Sequence, residues 1–162
     1  MHAKDLMIPL LEFLTPATPL KEAANLLRTA KRDEDKCGVK GLPVLDPQGA
    51  MVGFLSIGDI LKAVFPPYMQ LMDLGEFTWD GMVETMAKRC AAKTVAELMT
   101  RRVVTVPAEA PLMECVDHML KHNVKRLPVV RPDGKVIGIL YERDVFFAIA
   151  KAMQDNNAGG GQ

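Results

Sequence analysis

The sequence has few cysteines, no excess of either charge and no long apolar run, and each absence excludes a class of protein. Three cysteines, Cys37, Cys90 and Cys115, are an odd number without a CxxC pair, which argues against a disulfide scaffold and a structural zinc site. The 20 basic residues balance the 20 acidic ones, so no overall charge attracts nucleic acid or an anionic membrane. No apolar run approaches the ~20 residues that span a bilayer, and the first residues lack a signal-peptide core. We therefore expect a cytoplasmic protein that binds neither nucleic acid nor membrane.

What the sequence does contain is an internal repeat. Leu42-Pro43-Val44-Leu45 is matched by Leu127-Pro128-Val129-Val130, and both the two prolines and the later pair Asp59 and Asp144 are 85 residues apart. Upstream, Leu6 and Leu98 are 92 residues apart, as are Pro19 and Pro111. The change in offset assigns seven additional residues to the first copy. We place them in the polar stretch 31–38, which is typical of a solvated loop.

Each copy predicts the element order β-α-β-β-α. Apolar residues recur at helical spacing after Pro19 and after Pro111, and two short apolar runs separated by a Pro- and Gly-containing turn predict a hairpin. Second helices are predicted over Ile57 to Val64 and Glu142 to Met153, and edge strands near 13–14 and 103–106. One copy is too short for a stable core, so we expect an α+β fold of two repeats packed about a pseudo-twofold axis.

The domain organisation follows from the repeat. We predict a first repeat over residues 1–65, a helical connector over 66–93, a second repeat over 94–154 and a disordered tail over 155–162. The connector is rich in Met and aromatic residues, among them Phe77 and Trp79. Such residues favour packing on the module or a partner surface over a flexible linker.

The Leu-Pro-Val segment, the glycine turn, the following Gly-x-Leu and the closing Asp occur twice, and this combination resembles the tandem CBS (cystathionine-beta-synthase) domain pair of the stand-alone bacterial type. The resemblance implies a disc-like module with clefts between the repeats that binds AMP, ADP, ATP or S-adenosylmethionine without chemistry on the ligand. It implies no required cofactor, a homodimer and an unidentified regulated protein. The expected function is therefore a regulatory nucleotide sensor. The alternative is a dimeric interaction scaffold with degenerate clefts that bind nothing.

In that family the Ser or Thr and the Asp of a Gly-x-x-Ser/Thr-x-x-Asp segment contact the phosphate and ribose. Ser56 and Asp59 fit this pattern in full, whereas the second copy has Tyr141 and Asp144. Ser-x-x-Asp is also a capping-box arrangement, and spacing alone favours the cap for Ser56 and Asp59. Asp144 lacks a short capping partner, so a ribose-binding role is more credible there. Tyr141 either contacts the nucleotide or blocks its cleft.

Two arginines and three short apolar segments are further candidates for contacts with a ligand. Arg126 and Arg143 are either phosphate ligands or solvated charges, since a guanidinium offers a fork of donors to an oxyanion. The resemblance implies an adenine pocket lined by the following segments: Leu42-Pro43, Leu127-Pro128 and Thr105-Val106. Because Gly41 stands where the second copy has Arg126, we expect the two clefts to differ in affinity.

Two other site types were considered. Cys115, His118 and His122 have spacings that could converge on a metal, but Cys115 continues the apolar stripe of its helix, so we predict no metal site. The sequence has no catalytic triad order, Walker loop or Gly-x-Gly-x-x-Gly segment, which argues against an enzyme. Cys37, in the polar loop, has no neighbouring charge pattern that would activate its thiol.

Overall fold

The computed structural model describes residues 1–31, 38–65 and 80–155. Four predictions fall wholly or largely outside these ranges: the solvated loop over 31–38, the state of Cys37, the packing of connector residues 66–79 and the disorder of the tail beyond Asp155. Among the described residues helices occur together with antiparallel β-hairpins, as in an α+β protein, which confirms the predicted fold class.

The predicted helices and hairpins are present in both repeats, but the edge strand predicted near residues 13–14 is only an isolated bridge between Leu14 and Val44. In chain order the elements are α1 (Ala3–Leu6), β1 (Ile8–Pro9), α2 (Leu20–Thr29), β2 (Gly41–Leu45), β3 (Met51–Ser56), α3 (Ile57–Val64), α4 (Met82–Cys90), α5 (Val95–Leu98), β4 (Val106–Pro107), α6 (Leu112–His122), β5 (Arg126–Val130), β6 (Val136–Tyr141) and α7 (Glu142–Asp155). The predicted edge strand of the second repeat is the short β4, and α7 extends two residues beyond its predicted end.

The two hairpins are set by their turns. Leu42 pairs with Leu55 in the β2–β3 hairpin, and Leu127 pairs with Leu140 in the β5–β6 hairpin. Gly49 and Gly134 close the two turns with the same φ of 84°, a left-handed conformation in which a side chain would be strained. Because the turns are equivalent, the apolar strands of both repeats have equivalent registers.

The contacts divide the chain into two compact units. Unit 2 comprises Glu12–Val103, and unit 1 comprises Met1–Leu11 together with Val104–Gln162. In unit 2 the core combines α2 and the β2–β3 hairpin with residues of α4 and α5; its buried members are Leu14, Leu20, Ala23, Leu27, Leu42, Val44, Leu55, Cys90, Val95 and Met99. Residues 82–90 of the predicted connector form helix α4. This helix contacts α3 and contributes Cys90 to the core of unit 2.

Unit 1 contains a four-stranded sheet in the order β1-β6-β5-β4. β4 runs parallel to β5, and β1 runs antiparallel to β6 with Ile8 opposite Ile139. Helices α6 and α7 contribute to the core of this unit, whose buried members are Ala3, Val106, Ala110, Cys115, Met119, Leu127, Val129, Leu140 and Val145.

The short segment that leads each repeat belongs to the compact unit of the other repeat. In unit 1, the backbone N–H of Ala3 donates to Ala110 O at 2.9 Å. In unit 2, Val95 N donates to Thr18 O at 2.9 Å, and Phe54 and Thr100 exchange two backbone hydrogen bonds. The two leading segments repeat with the 92-residue offset, as do the prolines that precede α2 and α6. Each unit therefore consists of the body of one repeat and the leading segment of the other.

The described helices are short or amphipathic. None of the helices within residues 1–31, 38–65 and 80–155 combines the length and the apolar composition needed to cross a bilayer.

Candidate functional site

In the first repeat, Ser56 and Asp59 form the start of α3. Asp59 N donates to Ser56 Oγ at 3.2 Å, and the Asp59 carboxylate accepts in return from Ser56 N at 2.9 Å. Ser56 Oγ also donates to Asp59 Oδ2 at 3.0 Å. These reciprocal bonds are a complete capping box. The capping interpretation of this pair is therefore confirmed.

The second carboxylate oxygen of Asp59 is engaged as well. Thr100 Oγ1 donates to Asp59 Oδ1 at 3.3 Å, and Thr100 lies just after α5 in unit 2. Sequence reasoning did not single out Thr100. The only signal was its position after the segment Glu97-Leu98-Met99, which repeats upstream. Both oxygens of Asp59 thus have protein donors, and a ligand at this carboxylate would have to compete with them.

The other predicted residues of the first repeat lie in the core. Leu42 is 4% exposed, Pro43 is fully buried, and Pro43 O accepts from Leu14 N at 2.9 Å. At Gly41 a side chain would meet the ring of Phe54, which covers this end of the hairpin. Because the second repeat has Arg126 at the equivalent position, the two repeats present different groups at the same place in the fold.

In the second repeat, the hairpin brings Arg126 and Tyr141 together at the point where β6 leads into α7. The two residues are opposite each other in the register, and both are half-buried. Leu127 and Pro128 are fully buried, as is Val106, while Thr105 beside it is half-buried. Leu127, Pro128 and Val106 thus belong to the buried interior of unit 1, whereas Thr105 and Arg126 remain partly accessible.

Asp144 differs from its counterpart Asp59 in its surroundings. It lies in the first turn of α7, and its Oδ2 atom is buried and has no hydrogen-bond partner among the residues that the structure describes. Asp144 also lines an open cavity of about 600 Å³ in unit 1. The described lining residues are Met1, Asp5, Leu6, Ile8, Asp144, Phe147, Ala148, Lys151, Ala152 and Asp155. This volume is within the range of small-molecule sites.

Arg143 is exposed beside this cavity. Its guanidinium carbon lies 5.2 Å from the centre of the Phe147 ring, which is a cation–π arrangement. Stacking occupies the face of the guanidinium and leaves its in-plane N–H groups free to meet an anion.

The β5–β6 hairpin and the start of α7 place Arg126, Tyr141, Arg143 and Asp144 near one another, and of these four Asp144 alone is among the described residues that line the cavity. Sequence reasoning missed the opposite wall of the cavity, which comes from α1 and β1 through Asp5, Leu6 and Ile8. The signal was present, since Asp5-Leu6-Met7 repeats as Glu97-Leu98-Met99. The sequence repeat alone does not predict that the segment around Asp5-Leu6-Met7 packs in unit 1 with the second repeat.

Comparison with known families decides what this arrangement is. The family model of the CBS domain matches residues 3–66 and 95–151, most of the chain and both repeats. The chain belongs to the CBS domain family. The predicted resemblance is confirmed.

Curated relatives and solved structures agree with this assignment. An uncharacterised protein of Methanocaldococcus jannaschii, MJ1426, is 31% identical over 68% of this chain and 73% of its own length. The chloroplastic CBS domain-containing protein CBSX2 of Arabidopsis thaliana is 31% identical over 87% of this chain, which spans only 60% of that relative. The crystal structure of CBSX2 in complex with AMP matches with a TM-score of 0.67 and 29% identity over 94% of this chain and 98% of that one.

A second open cavity lies in the CBS unit that contains the first repeat. It has a volume of about 930 Å³ and lies along α2, where Thr15, Thr18, Lys21 and Arg28 are among its lining residues. Ser56, Asp59, Leu42 and Pro43 are not part of its lining. The residues that CBS resemblance selects in the first repeat and this cavity are therefore separate features.

The helix with the candidate metal ligands, α6, belongs to the second CBS repeat. Cys115 is fully buried in the core, as its place in the apolar stripe predicted. The rings of His118 and His122 stack with their centres 6.0 Å apart, and His118 Nε2 lies 3.7 Å from Glu114 Oε1. Within the described ranges no three His, Cys, Asp or Glu side chains are grouped as metal ligands would be.

Burial gives a testable property to Cys115. Removal from water, with a smaller contribution from the charge of Glu114, raises the pKa of its thiol above the usual 9.0. We expect the folded protein to protect Cys115 from iodoacetamide at pH 8, with alkylation at least about 100-fold slower than in denaturant, because reaction requires opening of the core. Peptide-level mass spectrometry measures this residue apart from the other two cysteines. Equal rates in the two states would contradict the burial.

The same pKa shift sets a pH dependence. The unfolded chain loses the Cys115 proton near the usual pKa of 9.0, whereas the folded chain holds it to higher pH. The protonated thiol of Cys115 therefore makes its full contribution to the free energy of unfolding below pH 9. This contribution is lost as the pH rises above 9.

Proposed function

We propose that this CBS pair is a regulatory module that binds an adenosine ligand and does not transform it. AMP, ADP, ATP and S-adenosylmethionine are the candidate ligands, and none acts as a required cofactor. Family membership supports the proposal, as does CBSX2, which has been crystallised with AMP. In unit 1 we place the ligand at Asp144, and we expect the first repeat, with Asp59 engaged in its cap, to bind more weakly or not at all.

The state of Asp144 is the observation that carries the proposal. A buried polar atom without a partner costs about 1–3 kcal/mol, and more when it is charged. Asp144 Oδ2 is in that state beside a cavity, whereas both oxygens of Asp59 have donors. The two hydroxyls of a ribose are donors that would satisfy such a carboxylate. A ligand hydroxyl that donates to Asp144 Oδ2 would therefore remove this cost.

The groups around Asp144 suit the rest of a nucleotide. In this proposal the in-plane donors of Arg143 and Arg126 bind phosphate, which a guanidinium holds through paired hydrogen bonds. The adenine lies against the backbone of Thr105-Val106 and Leu127-Pro128. Tyr141 either contributes a contact or narrows the entrance, since its position opposite Arg126 is compatible with both.

Binding would regulate by favouring one arrangement of the protein. A ligand shifts a conformational equilibrium by the difference in its affinity for the two states, so occupancy at Asp144 could change how a partner protein is engaged. We propose a homodimer that acts in the cytoplasm on an unidentified protein.

Calorimetric titration tests the proposal. AMP, ATP and S-adenosylmethionine are titrated into the intact protein and into Asp144→Asn and Asp59→Asn, two matched substitutions that keep the shape of the side chain. We expect saturable binding of at least one ligand and a 10- to 100-fold weaker affinity for Asp144→Asn, about what the loss of a hydrogen bond to a charged group costs. Asp59→Asn should change affinity by less than about threefold and lower stability by about 1 kcal/mol through its cap.

Two outcomes would reject this assignment. Equal weakening by both substitutions would mean that the intact cap of Asp59 does not protect it from ligand. Absence of binding for all three ligands, in folded protein freed of copurified nucleotide, would support the interaction scaffold instead.

A further inference from the structure

The open cavity along α2 in unit 2 has no part in the proposed adenosine site, since Asp144 belongs to unit 1. Its volume of about 930 Å³ is within the range of small-molecule sites. The described lining residues are Phe13, Leu14, Thr15, Thr18, Lys21, Glu22, Ala24, Asn25, Leu26 and Arg28. Their chemistry indicates which kind of ligand the cavity suits.

Part of the lining is apolar. Phe13, just before α2, is 50% exposed, and Leu14 beside it is buried in the core of unit 2. Leu26 is half-buried, and Ala24 presents a small exposed side chain on α2. An aromatic ring that is half in solvent provides a large contact area at a low entropic cost. The cavity therefore suits a ligand that has an apolar body.

Two cations lie on one side of α2 within this lining. Lys21 and Arg28 are seven residues apart, which places them on the same face of the helix about 10 Å apart along its axis. Neither takes part in an ion pair with the residues that the structure describes. Arg28 Nη2 donates to Asn25 Oδ1 at 3.0 Å, and this neutral amide holds the guanidinium without cancelling its charge. Glu22 is the only acidic residue in the described lining, so one positive charge remains.

Two hydroxyl groups at the start of α2 add a hydrogen-bond donor. Thr15 Oγ1 and Thr18 Oγ1 are 2.7 Å apart, and Thr18 Oγ1 also accepts from Thr15 N at 3.3 Å. The bond between the hydroxyls uses one of their two hydrogens. Among the described contacts the second hydrogen is left for another acceptor. The polar part of the lining thus favours negatively charged oxygen groups.

The second repeat shows that the fold does not require these residues. Phe13, Lys21 and Arg28 correspond at the 92-residue offset to Thr105, Met113 and Leu120. Thr15, Thr18 and Asn25 are replaced in the same way, by Pro107, Ala110 and Asp117. The equivalent helix α6 therefore forms without the aromatic ring, the two cations or the hydroxyl pair. Their presence together in the first repeat points to a role other than folding.

We propose that the cavity along α2 binds an elongated small molecule with an anionic group at each end of an apolar body. Lys21 and Arg28 bind the two ends, and Phe13 contacts the body between them. The distance between the cations along α2 sets the preference for a molecule with two separated charges. This site gives the protein a second ligand in addition to the adenosine compound in unit 1.

A set of three probes tests the site by two-dimensional NMR titration of the intact protein. The first is para-phenylenediacetate, which has two carboxylates on a central ring; we expect saturable binding with a Kd of about 1 mM or lower. Its uncharged diamide should bind at least about 10-fold more weakly, because it has the shape without the charges. Suberate, a dicarboxylate of the same length without the ring, should bind about 3- to 10-fold more weakly.

Substitutions from the second repeat locate the probe. Lys21→Met and Arg28→Leu each introduce the residue that α6 carries and should weaken para-phenylenediacetate about 5- to 10-fold. Lys88→Met and Arg89→Leu are the matched controls, because both residues are exposed on α4 of the same unit. They should change the affinity by less than about twofold. The NMR spectrum of each variant shows directly whether it is folded.

Several results would overturn this assignment. The first is the absence of saturable binding by the dicarboxylate, and the second is equal binding of the diamide. Equal weakening by the α4 controls would reduce the effect to overall charge. Displacement of the probe by AMP, or loss of its binding in Asp144→Asn, would make it a ligand of the adenosine site. Binding of AMP in unit 1 without binding of the dicarboxylate would reject this second site and leave the proposed function intact.

Discussion

Replacing Leu127 with alanine should lower the free energy of unfolding by about 3–5 kcal/mol, the cost of a large cavity in a core that cannot collapse around it. Leu127 is fully buried in β5, opposite Leu140 and in the same core as Cys115 and Val145. Urea denaturation, followed by circular dichroism, measures the change. A loss of this size is a large share of the stability of a domain.

Leu61→Ala is the matched control for this substitution. Leu61 lies on α3 and is 64% exposed, so the same chemical change should cost less than about 1 kcal/mol. Similar losses for the two variants would mean that the core of unit 1 is not organised around Leu127. Leu127→Ala also tests the proposed ligand site, because Val145 shares the core with Leu127 and directly follows Asp144. We expect it to weaken any ligand binding that depends on the start of α7.

Replacing Gly138 with alanine should cost about 1–3 kcal/mol through overpacking. An added Cβ would lie 2.8 Å from Ile8 O and 2.7 Å from Met7 Sδ. The Met7 side chain can move, but the backbone of Ile8 is held because Pro9 pairs with Gly138 in the sheet. Relief of the clash therefore requires β1 to move away from β6. Thermal unfolding of the variant measures the loss.

Gly58→Ala provides the comparison. At Gly58 the nearest atom to a new Cβ is Ser56 Oγ at 3.5 Å, an ordinary contact, and the residue lies in a helix. Alanine is expected to be neutral or to stabilise by up to about 1 kcal/mol there. If Gly138→Ala were as well tolerated as Gly58→Ala, β1 would not lie as close to β6 as the structure shows.

Much of the architecture could be predicted from the sequence because it depends on local patterns. The helical spacing after Pro19 and Pro111 marked α2 and α6, and the turn glycines Gly49 and Gly134 fixed the hairpins. The capping box at Ser56 could also be read directly, since its bonds join residues three apart. These features require no knowledge of the tertiary structure.

The exchanged leading segments and the difference between the two aspartates could not be predicted in the same way. Helix α1 has only four residues, too few for a periodic pattern, and its docking is decided by distant backbone partners such as Ala110. Asp59 and Asp144 occupy equivalent sequence positions, yet both oxygens of Asp59 have donors, whereas Asp144 Oδ2 is buried with no partner in the described part of the chain. That contrast arises from Thr100 and Ser56 in one unit and from the cavity in the other, which are tertiary features.

The exchange of leading segments also orders the events of synthesis. Unit 2 is one continuous stretch, Glu12–Val103, and all of its contacts are available once the ribosome has added the last of those residues. Unit 1 cannot close at that stage, because β1, which is made before unit 2, pairs with β6, which is made after it. The nascent chain must therefore keep Ile8 and its neighbours unpaired while unit 2 forms behind them. Completion of the sheet in unit 1 is then the step that joins the segments made before and after unit 2.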